Sequence, residues 1–248
     1  TLNPPKELRR YIQAVSDEKS ILKIEGLDAG YGISQVLFDI SLNFNAIGAT
    51  AILGMNGAGK TTLLKTIVGE IRPNNGIIHF DGENSTAENT DKKIRRGMAY
   101  VPQENAVFNK LTVKENIILG ANATNKKVDI DMVLDFFPKL GERLGQQAGT
   151  LSGGERKMLA ISRALISKPK LIMLDEPTEG VWIGVIEEIA ERLEILAKEI
   201  SVILVEQHLE LALRVCSYTY VLDRGKVALK GPSENVRENT ELLRLLTP

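Results

Sequence analysis

Polar and apolar positions change rhythm several times along the chain. Leu8, Tyr11, Ile12 and Val15 recur at helical spacing behind Pro4 and Pro5. Residues 1–20 therefore read as an N-terminal appendage, either a tail with an amphipathic turn or two or a docked accessory helix. From Ile21 the rhythm shortens. ILKIEGL, QVLFDISLNF and TAIL are alternating or wholly apolar over strand lengths. The last of these enters a glycine-rich loop and then a helical pattern over residues 60–68. GIIHF and GMAYVPQ read as further strands. Residues 104–150 are more helical: LTVKENIILG carries Thr112 and Glu115 at capping-box spacing, and VDIDMVLDFF is amphipathic. Beyond Leu151 a helix over 155–166 leads to the strand LIML. A helix over 185–198 leads to SVILV, and one near 209–215 leads to YTYVLD and KVALK. Alternation of this kind predicts an α/β fold with a mostly parallel sheet covered on both faces and a helical insert. Residues 233–248 read as a C-terminal helical tail.

Composition narrows the classes. The 248 residues suit one large domain or two lobes, and burial of roughly 70–75% of the unfolded surface allows a substantial core. Thirty-one Lys and Arg against 32 Asp and Glu argue against a nucleic-acid surface, and 5% aromatics against a base-stacking platform. Cys216 is the only cysteine, so no intrachain disulfide forms and a reducing compartment fits best. No apolar run approaches a membrane span, and the first twenty residues lack a signal-peptide core. The expectation is a soluble, cytoplasmic chain whose membrane part, if it serves transport, is another subunit. Its start at Thr1 implies initiator removal or trimming.

Gly54, Met55, Asn56, Gly57, Ala58, Gly59, Lys60 and Thr61 fit G-x-x-x-x-G-K-[ST] between a strand and a helix. Such a loop turns successive backbone N–H groups inward around phosphate oxygens, and the helix N-terminus adds positive partial charge. Lys60 brings a full charge to the β- and γ-phosphates, and Thr61 offers a hydroxyl to Mg²⁺. The motif specifies a nucleoside triphosphate without separating kinase, GTPase and motor. The apolar strand LIML ends in Asp175 and Glu176. A strand end beside a phosphate loop is where a Mg²⁺-holding aspartate belongs, here Asp175 through a water. Glu176 is then placed to orient the attacking water or accept its proton. Leu151-Ser152-Gly153-Gly154-Glu155 has capping-box spacing, so a well-capped helix worth about 1 kcal/mol accounts for it locally. The same N-terminus is also an exposed anion site.

LSGGE ahead of a strand ending in Asp-Glu, all downstream of GMNGAGKTT, resembles the ABC ATPase family over roughly residues 21–232. That resemblance implies a P-loop NTPase (RecA-like) fold with an antiparallel β subdomain and a helical subdomain, about 104–167, carrying the signature. It implies ATP hydrolysis with Mg²⁺ and a head-to-tail dimer holding two ATP molecules, each phosphate loop capped by the partner's Ser152, Gly153, Gly154 and Glu155. It extends the nucleotide contacts to Thr62 and sets Tyr31 against adenine, where simple packing is the alternative. It makes Gln103 of VPQEN a contact to Mg²⁺ and the attacking water. Two positions depart from the family pattern: Gln207 stands where a histidine usually follows the strand SVILV, with His208 one residue later, and Trp182 stands where an aspartate usually crosses the dimer interface. Register makes Gln207 the residue facing the γ-phosphate. YGISQVLFDISL, DEPTEG and VEQHLELAL are similar to ATP-binding subunits of branched-chain amino-acid, amide and urea importers. The implied partners are transmembrane permease subunits, through which the chain sits at the inner membrane face, and indirectly a solute-binding protein. A lipid or lipopolysaccharide exporter motor, a non-transport ABC ATPase and a small-molecule P-loop kinase are the competing readings.

Overall fold

The computed structural model describes residues 20–121 and 128–247; the appendage expected over 1–20 lies outside them except for Ser20, which opens the first strand. The N-terminal part runs β1 (Ser20–Tyr31), β2 (Ser34–Asn45), β3 (Gly48–Leu53), α1 (Lys60–Val68), β4 (Asn75–Phe80), β5 (Glu83–Asn84), α2 (Thr90–Arg95) and β6 (Met98–Val101). Then come α3 (Val113–Ala121), α4 (Ile130–Phe136), 3-10 turns at Pro138–Arg143 and Ala148–Thr150, and α5 (Gly153–Leu165). The chain finishes with β7 (Leu171–Asp175), α6 (Ile183–Leu196), β8 (Ser201–Val205), α7 (Leu209–Val215), β9 (Tyr218–Asp223), β10 (Lys226–Pro232), α8 (Ser233–Arg237) and α9 (Thr240–Leu246).

The strands form two sheets. One is antiparallel in the order β2-β1-β4-β5; the other runs β10-β9-β3-β8-β7-β6. In the second, β3, β6, β7, β8 and β9 are parallel and only β10 is antiparallel. β7 and β8 are buried at every position. Their side chains divide by the period of the pleat. Ile172, Leu174, Val202 and Leu204 join the core beneath the helical segment and α6, whereas Leu171, Met173, Ile203 and Val205 join the core under α1 and the antiparallel sheet. A continuous apolar run is thus what a strand covered on both faces requires, and each such large aliphatic contributes about 1.5–3 kcal/mol by burial.

Helix ends follow local chemistry. α1 stops at Gly69, left-handed at φ 92°, whose N–H returns to the carbonyls of Lys65 and Thr66. The fully buried Lys93 donates from Nζ to the Ile67 carbonyl at 2.8 Å; burial lowers its ammonium to about 8. α5 begins at Gly153, two residues before the periodicity alone placed it, because Ser152 is the cap and the first turn starts directly after it. α6 is displaced the same way, spanning Ile183–Leu196 rather than 185–198. The short helix α2, capped by the Asn89 side chain, carries too few turns to be read from apolar spacing. Among the described residues no helix is long and apolar enough to cross a membrane.

Candidate functional site

Four neighbouring parallel strands deliver four loops to one edge of the sheet. β3 ends at Leu53 and feeds the phosphate loop; β8 ends at Val205 ahead of Gln207. β7 ends in Asp175, and β6 is followed by Gln103. Ligands of open α/β sheets gather at such carboxyl ends.

The phosphate loop turns into α1 through Gly59, left-handed at φ 105°, where a Cβ would meet Leu37 Cδ2 at 2.8 Å. Lys60 is 5% exposed and folds its ammonium over the loop, donating to the carbonyls of Gly54 (2.8 Å) and Met55 (3.2 Å). Its Nζ also lies 3.6 Å from Glu176 Oε1. Asn56 and Gly57 are exposed, Ala58 and Thr62 buried, and Thr61 is half-buried at the helix start.

Asp175 is 1% exposed. Its Oδ2 accepts from the Tyr100 hydroxyl at 3.2 Å, while Oδ1 is buried without a hydrogen-bond partner. Burial pushes this carboxyl above the usual aspartate range, against the pull of the Thr61 and Tyr100 hydroxyls and the Lys60 charge. Burial, helped by the Asp175 charge, pushes the Tyr100 hydroxyl well above the usual phenol range, so it stays a donor. Among the described residues no group of three or more His, Cys, Asp or Glu could hold a metal. One carboxylate with a free lone pair and one hydroxyl beside it is a donor set suited to a cation that takes its other ligands from phosphates and water.

Glu176 is 4% exposed and stands at φ 48°, a left-handed conformation costly for a side chain with a Cβ. Its N–H donates to the Val205 carbonyl at 2.9 Å, tying the strained residue to β8. Its Oε2 accepts from two amides, Gln103 Nε2 at 2.9 Å and Gln207 Nε2 at 2.8 Å. Gln103 Nε2 also reaches Glu179 Oε2 at 2.7 Å, and Gln207 Nε2 reaches Asn56 Oδ1 of the phosphate loop at 2.9 Å. The structure therefore gathers Gln103, Gln207 and Lys60 around the Glu176 carboxylate, with Asn56 bonded to Gln207. His208 instead precedes α7, and its side chain makes no cap bond.

Glu206 is a residue that sequence reasoning missed. It is 2% exposed, and its carboxylate accepts from Thr178 N (3.0 Å), Thr178 Oγ1 (2.7 Å), Gln207 N (3.2 Å) and His208 N (3.4 Å). It ties the Gln207 loop to the loop after Glu176, although burial still raises its pKa above the usual glutamate range. A carboxylate closing the apolar run SVILV was the available signal. Tyr100, Lys157 and Glu179 were also missed; nothing local to them points at the site.

The LSGGE segment stands apart from this cluster. Ser152 Oγ accepts from Glu155 N at 3.2 Å and Glu155 Oε2 accepts from Ser152 N at 2.8 Å, a reciprocal cap. Burial raises the Glu155 carboxyl, but the Ser152 N–H and hydroxyl and the Arg143 charge outweigh it and hold it below the usual range. Ser152 and Gly153 are exposed, while Gly154 packs so closely that a Cβ would lie 2.7 Å from Val185 Cγ1. Trp182 is 74% exposed, with its ring close over Gly184 in the first turn of its own helix. Tyr31 is 52% exposed at the end of β1, paired with Ser34, and the strand that follows lays Val36 and Leu37 near Gly59.

Comparison with known proteins agrees with this geometry. Residues 37–179 match the ABC transporter family model. A high-affinity branched-chain amino acid transport ATP-binding protein, BraG of Pseudomonas aeruginosa, is 41% identical over 84% of this chain and 91% of its own. A probable branched-chain amino acid transport ATP-binding protein, LivF of Archaeoglobus fulgidus, is 37% identical over 91% of this chain and 98% of its own. The ADP conformation of an ATP-binding cassette of an ABC transporter superposes with TM-score 0.81 at 28% identity, covering 92% of this chain and 98% of that one. With the phosphate loop, the paired carboxylates and the capped LSGGE helix on one scaffold, the chain belongs to the ABC transporter ATP-binding family and is an ATPase of that fold.

Proposed function

We propose that the chain is the motor subunit of an importer for branched-chain amino acids or related amides, working as a head-to-tail dimer on the cytoplasmic face of its permease subunits. The observation that carries the chemistry is the Glu176 carboxylate, fixed by two glutamine amides beside Lys60. The loop N–H groups of residues 54–59, Lys60, Thr61 and Thr62 hold the β- and γ-phosphates of ATP, and Tyr31 packs on the base. Thr61, Asp175 and Gln103 hold Mg²⁺, which when bound neutralises charge on the phosphate oxygens. Glu176 orients the attacking water and receives its proton at a carboxylate oxygen. The amides of Gln103 and Gln207 keep that carboxylate aimed; each reaches a phosphate or water oxygen by releasing its second acceptor, Glu179 or Asn56, and neither can become cationic. Ser152, Gly153, Gly154 and Glu155 of the partner subunit complete each ATP site.

The substrate class rests on the transport systems to which the two relatives above belong and their near full-length match. The cleft of about 560 Å³ lined by Gln103, Glu104, Asn105, Asn109, Lys157 and Glu179 supports docking of the permease beside the start of the helical segment. A solute-binding protein delivers cargo to the permease without touching this chain. The test is reconstitution of the chain with its permease and binding protein in vesicles. ATP-dependent uptake of labelled leucine or a short amide, lost on omission of the binding protein, is expected. ATPase stimulation by lipopolysaccharide with no uptake of either solute would overturn the import reading.

A further inference from the structure

Lys157 lies early in α5, the helix that Ser152 caps, yet its side chain leaves the helix and enters the site. Its ammonium donates to the main-chain carbonyl of Gln103 at 3.0 Å and to that of Glu176 at 3.0 Å. Those carbonyls belong to the loops after β6 and β7, so one half-buried cation ties α5 to the loops that follow two paired strands. Burial lowers its pKa, and the charges of Glu179, Glu206, Glu176 and Asp175 pull it back up. Three of these carboxylates are buried, and Lys60 is the other cation beside Glu176. An ammonium has three donors and no acceptor, which suits two carbonyls in a field of carboxylates. The strained Glu176 backbone and the shared Gln103 amide both depend on where these carbonyls stand.

We infer that Lys157 is a positioning residue for ATP hydrolysis. Its ammonium locks the main chain of Gln103 and Glu176 to the first turns of the signature helix, so that a shift of that helix when the partner closes moves the Glu176 carboxylate with it. The inference rests on the role given to Glu176 above. A displacement of an ångström or so at a reacting group costs up to about 100-fold in rate. Lys157→Met in the full chain is therefore expected to lower kcat for ATP about 10–100-fold. The KM for ATP should change less than about threefold, because the phosphate contacts are untouched. Lys157→Arg, which can still donate to both carbonyls, should restore kcat to within about threefold of the parent. Binding of a fluorescent ATP analogue and the melting temperature report folding. Should Lys157→Met not fold, Lys157→Gln removes the charge while keeping a donor, and is expected to show the same kcat-specific loss. A parent-like kcat in the methionine or glutamine variant, a loss appearing mainly in KM, or arginine no better than methionine overturns the proposal. Glu176→Gln is measured alongside. If it retains turnover, the reading of the site fails; if it is inactive while Lys157→Met is not, only the positioning role fails.

Discussion

Asp175 holds a buried carboxylate with one oxygen bonded to Tyr100 and the other unpaired. A buried acceptor without a partner costs about 1–3 kcal/mol. Its raised pKa has the same meaning: the native state binds this proton more tightly than the unfolded chain. The stability linked to that proton is full below the ordinary aspartate range and lost as pH climbs through the native value. The proposed cation-holding role of Asp175 gives a reason to keep a group that the fold alone would not. Asp175→Asn is expected to raise the melting temperature at pH 7 by about 2–4 °C in buffer free of magnesium and nucleotide, the shift that about 1 kcal/mol produces in a chain this size. The gain should vanish near pH 3, where both proteins are neutral at this position, and hydrolysis should be lost at every pH. A variant less stable than the parent at pH 7 would show that the orphan oxygen is not a burden.

At the scale of the element, the start of α5 serves packing, and on the proposed function the same atoms serve chemistry. The Ser152–Glu155 box is sufficient to begin the helix, and Gly154 lets it lie against Val185 at the start of α6. Ser152→Ala removes the side-chain acceptor, so the melting temperature should fall by about 2–4 °C for a cap worth about 1 kcal/mol. Ser152→Asp separates the two roles. Aspartate caps helices well and suits the positive end of the dipole, but it repels a phosphate. Stability should return in this variant while ATP turnover stays at least about tenfold below the parent. Parent-like turnover in Ser152→Asp would leave the serine with a structural role alone.

At the scale of the whole molecule, the exposed LSGGE cap has no described contact with the cluster around Glu176, which fits the proposal that a partner subunit completes the site. Trp182, the only tryptophan, sits next to that question. The ring lies against its own helix at Gly184, yet the residue is 74% exposed. A large exposed aromatic at a loop expected to meet a partner loses water when the dimer closes. Its emission should start red and shift blue when ATP is added to Glu176→Gln, in proportion to protein concentration, with no shift in Lys60→Ala. An unchanged spectrum while sedimentation shows dimers forming would place Trp182 away from the moving surface.

What the sequence by itself determined is whatever a few consecutive residues can specify. The glycines, Lys60 and Thr61 of the phosphate loop, the apolar strand ending in Asp175 and the reciprocal Ser152–Glu155 cap were all legible, because turn geometry, burial on both faces and helix capping act over a handful of residues. The strand rhythm likewise announced the parallel sheet. Only the tertiary structure decided which loops meet. The order β3-β8-β7-β6 sets Gln207 and Gln103 on one oxygen of Glu176, Tyr100 on Asp175, and Glu206 between two loops. It also brings Lys157 to carbonyls of two other segments. Those contacts depend on long-range parallel pairing and on crossovers through helices. Neither leaves a periodic trace at the residues it brings together, so a lone tyrosine or lysine in its local stretch looks like any solvated one.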